Sequence, residues 1–202
     1  MLSEKQQFQL ELLHDIYAIS ESCSTRTYIW GGLAMDINEG CFLREHHDVD
    51  CFTLNLLDVS HQMEAQFIQK GYSVTFLDGI DVLQVKKTGC GAAFNRLEIE
   101  DDIAMWRHIG NEGTVFFPRN WLSDKAYDFY GTGMLISGAE FEYATKANVK
   151  MLSPVWELRQ KDIASLEYWA KVLKKRNINP ESIFHEIRSD NPYWRKRGYE
   201  EY

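Results

Sequence analysis

The sequence predicts an α/β fold, in which a mixed β-sheet core is flanked by helices and followed by further C-terminal helices. Apolar residues recur at helical spacing near the amino terminus and again beyond residue 137. Between these segments lie short apolar runs bounded by turn residues, which are typical of strands. We therefore expect an α/β core over residues 1–137 and a helical part over residues 138–202 packed on it. The alternative is one single domain over residues 1–202.

Helices and strands alternate through the first half of the chain. Residues 4–20 place their apolar side chains on one face of an amphipathic helix. The strand Tyr28–Trp30 runs into Gly31-Gly32, which opens a short helix that Gly40 can end. A further helix is predicted at residues 58–70, and strands are predicted at residues 49–54, 72–77, 82–86 and 94–100.

The second half is less regular. Residues 101–133 contain Gly, Asn and Pro at several points and predict no clear element beyond a short apolar run. A short strand is expected at Met134–Ile136. The segment from Ser137 to Glu140 has the form of a capping box, so a helix should begin there and continue to about residue 150. Further helices are expected to start at Ser153-Pro154 and after Asn179-Pro180.

Composition limits the classes of function. The chain has 202 residues, of which 45% are hydrophobic and 13% aromatic, so it can form a substantial core. Its net charge of −8 argues against duplex nucleic acid as the main partner and suits a cationic small molecule better. The four cysteines lack paired or zinc-type spacing, which predicts free thiols. Without a signal peptide or a long apolar run, we expect a cytoplasmic protein with no membrane partner.

Two aspartates, Asp48 and Asp50, stand two residues apart at a predicted strand. Because side chains alternate across a strand, both carboxylates should point to the same face. Two carboxylates held this close repel each other unless a cation lies between them, and Mg²⁺ prefers carboxylate and phosphate oxygens. The pair therefore predicts a magnesium site.

Two further features fit phosphoryl chemistry. Gly31-Gly32 opens a helix, which allows the backbone to approach a phosphate closely at a helix N-terminus. Glu98 and Glu100 repeat the two-residue carboxylate spacing on a later strand. Either of them is a candidate to complete the metal site or to take a proton from an attacking hydroxyl. Asp36 is expected to brace the glycine loop rather than to bind metal.

The ordered combination resembles the signature of the DNA polymerase beta-like nucleotidyltransferase superfamily, in which Gly-Gly precedes an Asp-x-Asp pair and a distant acidic strand. Tyr28-Ile-Trp-Gly-Gly-Leu-Ala-Met-Asp36 and Arg44-Glu-His-His-Asp-Val-Asp50 are similar to the lincosamide and aminoglycoside nucleotidyltransferases. The similarity extends more loosely through most of residues 28–170. The chain departs from the family pattern at Leu33, Gln160 and Ser165, where the family has Trp, Pro and Asp.

The resemblance implies a role for each candidate residue. Asp48, Asp50 and Glu98 would be the catalytic carboxylates and would bind Mg²⁺, with Glu100 as the alternative third acid. The residues expected to bind the nucleotide are Gly31, Gly32, Arg44, His46 and Lys146. For Arg44 an ion pair with Glu45 remains the alternative, for His46 a structural role, and for Lys146 a solvated position.

The resemblance also implies the reaction. The expected function is transfer of a nucleoside monophosphate from a nucleoside triphosphate, ATP by preference, to a hydroxyl of a lincosamide-like or aminoglycoside-like molecule. Two alternatives remain. One is a toxin–antitoxin type of nucleotidyltransferase that modifies a tRNA or a protein, and the other is a non-catalytic nucleotide-binding relative. Neither the acceptor nor the oligomeric state follows from the sequence.

Overall fold

The computed structural model describes residues 2–107, 113–152 and 157–190. The chain forms two compact units. The first contains Met1–Glu98 and Ser123–Ile136, and the second contains Ile99–Leu122 and Ser137–Tyr202. One boundary between the units lies between Ile136 and Ser137, whereas the division into residues 1–137 and 138–202 remains a prediction. The segment Ile99–Leu122, however, groups with the C-terminal helices and not with the core.

The first unit is built on a mixed sheet. Its strands lie in the order β3-β4-β5-β2-β1-β9-β8, in which β2 pairs with β5, and β1 with β9, in parallel. The remaining neighbours are antiparallel. The predicted mixed sheet with flanking helices is thus confirmed. The elements of this unit are α1 (Glu4–Ser22), β1 (Thr27–Trp30), α2 (Gly32–Glu39), β2 (Val49–Leu54), α3 (Leu56–Gln69), β3 (Ser73–Leu77), β4 (Val82–Lys87), β5 (Cys90–Glu100, shared with the second unit at its end), β8 (Tyr127–Phe129) and β9 (Thr132–Ile136).

The core of the first unit lies between the sheet and the helices α1 and α3. Phe94 on β5 packs against Phe67 on α3, with ring centroids 5.4 Å apart, and both side chains are fully buried. Ser20 on α1 donates a hydrogen bond to Thr27 on β1 (2.8 Å). Burial of these apolar side chains supplies the main stabilising free energy, roughly 1.5–3 kcal/mol for each large side chain.

The other side of the sheet is the side on which Asp50 lies. Asp50 is the partner of Trp30 in the β1–β2 register, and neighbouring residues along a strand alternate between faces. The Trp30 ring stacks on Phe52, two residues after Asp50, with centroids 5.1 Å apart and an interplanar angle of 8°. This side of the sheet therefore combines an aromatic pair with a carboxylate.

In its described residues, the second unit combines antiparallel strands in the order β6-β7-β10 with the helices α4 to α7. Phe141 on α4 packs against Phe117 on β7, with ring centroids 4.7 Å apart. Arg176 Nη2 forms a salt bridge with Glu140 Oε1 at 2.7 Å. The hairpin of β6 and β7 lies in the segment for which the sequence predicted no clear element. The elements are β6 (Ile103–Arg107), β7 (Thr114–Pro118), α4 (Ala139–Ala147), α5 (Val149–Leu152), α6 (Gln160–Lys175), α7 (Pro180–Ile183) and β10 (Arg188–Ser189).

The helix boundaries of this unit differ from two predictions. The capping box expected at residues 137–140 is wrong, because Gly138 is the N-cap of α4 and the Ser137 hydroxyl donates to Glu142 at 2.6 Å instead. The helix start expected at Ser153-Pro154 lies outside the described residues, and α6 begins at Gln160. The short helix after Asn179-Pro180 is confirmed as α7. Among the described helices, none has the length and apolar character needed to cross a membrane.

Candidate nucleotide and metal site

The glycine bend lies directly against the second aspartate. β1 ends at Trp30, the partner of Asp50 on β2, so the chain turns at Gly31 beside that carboxylate. Gly31 has φ 77° and ψ −144°, a backbone conformation that favours glycine. A Cβ atom at Gly31 would lie 3.1 Å from Asp50 Oδ2. The structure therefore brings the predicted phosphate loop and one predicted metal ligand together.

Asp48 precedes β2 by one residue and is exposed, whereas Asp50 is half-buried. An exposed carboxylate just outside the strand is accessible to a hydrated cation. That both carboxylates bind one ion remains a prediction.

Arg44 and His46 converge on Gly32, the first residue of α2. A Cβ atom at Gly32 would overlap Arg44 Nη2 and would lie 3.1 Å from His46 Nδ1. The guanidinium group thus lies at the N-terminus of a helix, where the helix dipole already favours an anion. Arg44 donates to the backbone oxygen of Glu45 (3.2 Å), while the Glu45 carboxylate accepts from Ser3 (2.8 Å). The alternative ion pair between Arg44 and Glu45 is therefore not what the structure shows.

His46 is part of a buried pair with Asp36. His46 Nε2 lies 2.8 Å from Asp36 Oδ2, and the two side chains are 4% and 0% exposed. The same carboxylate oxygen accepts from the backbone N–H of Leu43 (3.1 Å). Asp36 on α2 thereby holds the loop that leads to β2, which agrees with the expected bracing role. The Nδ1 side of His46 faces Gly32, so the ring supports the glycine loop.

The amino-terminal end of helix α1 also holds the loop that leads to β2. The sequence did not reveal this feature. Lys5 Nζ lies 3.1 Å from His47 Nδ1, and Gln9 Oε1 accepts from the backbone N–H of His46 (3.4 Å). With the contact between Ser3 and Glu45, three successive loop residues are tied to one helix. These contacts join residues far apart in sequence, so no local spacing could have predicted them.

The structure does not bring Glu98 to the side of the sheet on which Asp50 lies. In the parallel register of β2 and β5, Asp50 is the partner of Ala93 and Leu54 is the partner of Leu97. Partners share a face and neighbours alternate, so Glu98 lies on the opposite face of β5. Arg96, on the same face as Glu98, donates to Glu98 Oε1 from Nε (3.0 Å).

The environment of Glu98 is that of a structural ion pair. Arg96 also donates to Asp81 Oδ2 (2.8 Å), so one guanidinium group joins two carboxylates. Burial works against the charged form of Arg96, but the hydrogen bonds to Asp81 and Glu98 outweigh it and raise the pKa of the guanidinium. Glu100 is exposed at the end of β5 and belongs to the second unit.

Lys146, the last predicted phosphate contact, lies on α4 in the second unit. Its ammonium group donates to Glu142 Oε2 (2.6 Å), and the Glu142 side chain is fully buried. A buried carboxylate needs such a partner, because an isolated buried charge is costly. The role of Lys146 in the described structure is therefore to neutralise Glu142.

The residues present fit one hard divalent cation. Asp50 with Asp48 offers carboxylate oxygens beside a phosphate loop, and Mg²⁺ typically binds one or two carboxylates together with substrate phosphates. No group of three or more His, Cys, Asp or Glu residues suited to a metal ion occurs within residues 2–107, 113–152 and 157–190. Cys51 is fully buried and alternates with Asp50 along β2, so its thiol points to the other face, where burial and the neighbouring Asp50 raise its pKa.

The substitution Glu98→Gln should leave divalent-cation affinity unchanged within about twofold, because this side chain lies on the other face of β5. It should instead lower stability by about 1 kcal/mol, the usual effect of weakening a partly exposed ion pair. Isothermal titration with Mn²⁺ and a thermal melt measure both effects. A large loss of cation affinity would show that Glu98 is a ligand of the metal after all.

Part of the chain is similar to a known enzyme family, and the chain shares its fold with several solved structures. Residues 12–91 match the family model described as aminoglycoside-2''-adenylyltransferase. The chain is similar to the solution structure of the antibiotic-resistance factor ANT(2'')-Ia, with a TM-score of 0.68, 18% identity, and coverage of 88% of this chain and 90% of that one. No curated protein sequence matches the chain.

Two further solved structures share the fold. ANT(2'')-Ia in complex with adenylyl-2''-tobramycin aligns with a TM-score of 0.66 and 18% identity, covering 94% of this chain and 98% of that one. The lincomycin-bound lincosamide adenylyltransferase LnuA aligns with a TM-score of 0.57 and 15% identity, covering 85% and 98%. Residues 12–91 are thus similar to the aminoglycoside-2''-adenylyltransferase family, and the chain shares the fold of these solved antibiotic-modifying enzymes.

Proposed function

We propose that this protein transfers AMP from ATP to a hydroxyl group of a small, cationic antibiotic-like molecule, in a reaction that requires Mg²⁺. The observation that supports this most strongly is the position of the Asp50 carboxylate against the Gly31 bend, since it sets a metal ligand beside a phosphate loop. ATP is preferred because the matched family and LnuA are named as adenylyltransferases.

The triphosphate would be held at the start of α2. Backbone N–H groups and the helix dipole attract phosphate oxygens there, and the Arg44 guanidinium beside Gly32 adds a fixed positive charge. The buried pair of His46 and Asp36 keeps the glycine loop in position, so little reorganisation is needed on binding. Asp48 and Asp50 would hold Mg²⁺, which neutralises phosphate charge when bound.

In the proposed reaction, the acceptor hydroxyl oxygen forms a bond to the α-phosphorus. The bond from the α-phosphorus to the oxygen that bridges to the β-phosphorus breaks, and pyrophosphate leaves. The hydroxyl proton passes to solvent, because no carboxylate of β5 in the first unit lies on the Asp50 face of that strand. Catalysis by this site therefore depends mainly on positioning and charge stabilisation.

A small molecule is favoured over nucleic acid as the acceptor. The net charge of −8 repels a phosphate backbone and attracts a cation. Two of the similar structures hold adenylyl-2''-tobramycin and lincomycin, which are small hydroxylated compounds. Two alternatives remain outcomes of the test: a tRNA or protein acceptor, and nucleotide binding without transfer, which the position of Glu98 favours.

The test measures the release of pyrophosphate from ATP in the presence of Mg²⁺. The candidate acceptors are a panel of aminoglycosides, lincosamides and bulk tRNA. We expect release with at least one cationic antibiotic, and a product heavier by one adenylyl group in the mass spectrum. Pyrophosphate release with tRNA and with no antibiotic would show that the acceptor is a nucleic acid and not a small molecule. Nucleotide binding without any release would assign the chain as a binding relative, and absence of nucleotide binding would contradict the proposal entirely.

A further inference from the structure

The strand next to Asp50 offers no ionisable side chain to the side of the sheet on which Asp50 lies. β5 is the direct neighbour of β2, with Ala93 opposite Asp50 and Asn95 opposite Phe52. Within the first unit, the residues of β5 that share this face are Gly91, Ala93, Asn95 and Leu97. Neutral side chains therefore border the carboxylate on this side.

The nearest polar group on that face is already engaged. Asn95 is 3% exposed, and its Nδ2 donates to the backbone oxygens of Cys51 (3.1 Å) and Ala93 (3.4 Å). Because Cys51 follows Asp50 directly, this amide fixes the β2 backbone beside the metal ligand. An amide in this bonded arrangement has no charge to balance a cation.

Two divalent cations a few ångströms apart repel each other strongly, and in two-metal sites this repulsion is balanced by additional anionic ligands. Glu98 does not supply that charge, since it lies on the opposite face of β5 and is bound to Arg96, as is Asp81, which precedes β4. In the proposed site the anionic ligands are then Asp48, Asp50 and the triphosphate.

We propose that this site binds the triphosphate with one divalent cation and not two, an inference that rests on the proposed function. Ala93 is the position that determines the number of cations. Ala93 is partly exposed, so the strand can accept a larger side chain there. A carboxylate at this position would stand on the same face as Asp50, on the adjacent strand, and would create the missing ligand.

The experiment counts Mn²⁺ ions by electron paramagnetic resonance, at saturating concentration of a non-hydrolysable ATP analogue. Three proteins are compared: the natural chain, Ala93→Asp, and the uncharged control Ala93→Asn. We expect one bound ion per chain in the natural protein and in Ala93→Asn, and two in Ala93→Asp. A thermal melt checks that each variant is folded.

Two ions in the natural protein would overturn the inference while leaving the proposed function in place. A folded Ala93→Asp variant that still binds one ion would overturn the role of Ala93. If that variant does not fold, the count in the natural chain decides the question alone. No ion and no bound analogue would contradict the proposed function itself.

Discussion

Asp50→Asn should reduce affinity for the metal–triphosphate complex by about a thousand-fold and abolish transfer. The substitution preserves the shape of the side chain but removes its charge. One charge pair at about 4 Å contributes about 4 kcal/mol at an effective dielectric constant near 20, and each 1.4 kcal/mol corresponds to about tenfold in affinity. Asp48 cannot replace the lost charge, because in the proposed site it is already the other carboxylate ligand of the cation.

The measurement is isothermal titration with Mg²⁺ and a non-hydrolysable ATP analogue. Asp128→Asn is the matched control, since Asp128 is an exposed aspartate on β8 in the same unit. It should bind the complex as the natural protein does. A loss of less than about tenfold in Asp50→Asn would show that the cation lies elsewhere.

Gly31→Ala should also have a large effect, for two separate physical reasons. With φ 77° and ψ −144°, this residue lies where a side chain is strained, at a cost of about 1–3 kcal/mol. In addition, the new Cβ atom would lie 3.1 Å from Asp50 Oδ2, so the carboxylate or the loop must move. We expect a lower melting temperature together with at least about tenfold weaker triphosphate binding.

Gly71→Ala separates these two effects. Gly71 has φ +83°, but a Cβ atom there meets nothing within 4 Å. This control should lose stability without losing affinity for the triphosphate. If Gly31→Ala and Gly71→Ala bind the triphosphate equally well, the contact between the glycine bend and Asp50 has no role in binding.

The sequence predicted the elements around Asp50 well because the relevant signals are local. The strand at residues 49–54 and the helix after Gly31 follow from apolar periodicity and glycine placement, and both appear with these boundaries or within two residues of them. The order of Gly-Gly and Asp-x-Asp also reports a local geometry, the turn between a strand and a helix. The family resemblance is densest in this region.

The third acid could not be located in the same way. Alternation along β5 shows that Glu98 and its neighbours two residues away share a face, but it does not tell which face meets Asp50. That depends on the register between β2 and β5, which is fixed by tertiary packing, such as the contact of Phe94 with Phe67. A shift of one residue would have turned Glu98 to the face on which Asp50 lies.

Other features depend on contacts between distant residues. The pair of His46 and Asp36 joins a helix to a loop, and the contacts of α1 with that loop join residues about forty positions apart. Ser137 satisfied the capping-box pattern, yet its hydroxyl bonds to Glu142 because that buried carboxylate needs a donor. In each case a tertiary requirement outweighed the local signal.

The Asp50 carboxylate, which lies beside the glycine bend, is proposed to bind a divalent cation together with the triphosphate. A crystal structure of the protein with Mn²⁺ and a non-hydrolysable ATP analogue tests it most directly, through the anomalous scattering of manganese. We expect a manganese peak bound by Asp50 and Asp48, with the phosphates at the start of α2. A peak beside Glu98, or an analogue bound away from Gly31, would contradict it.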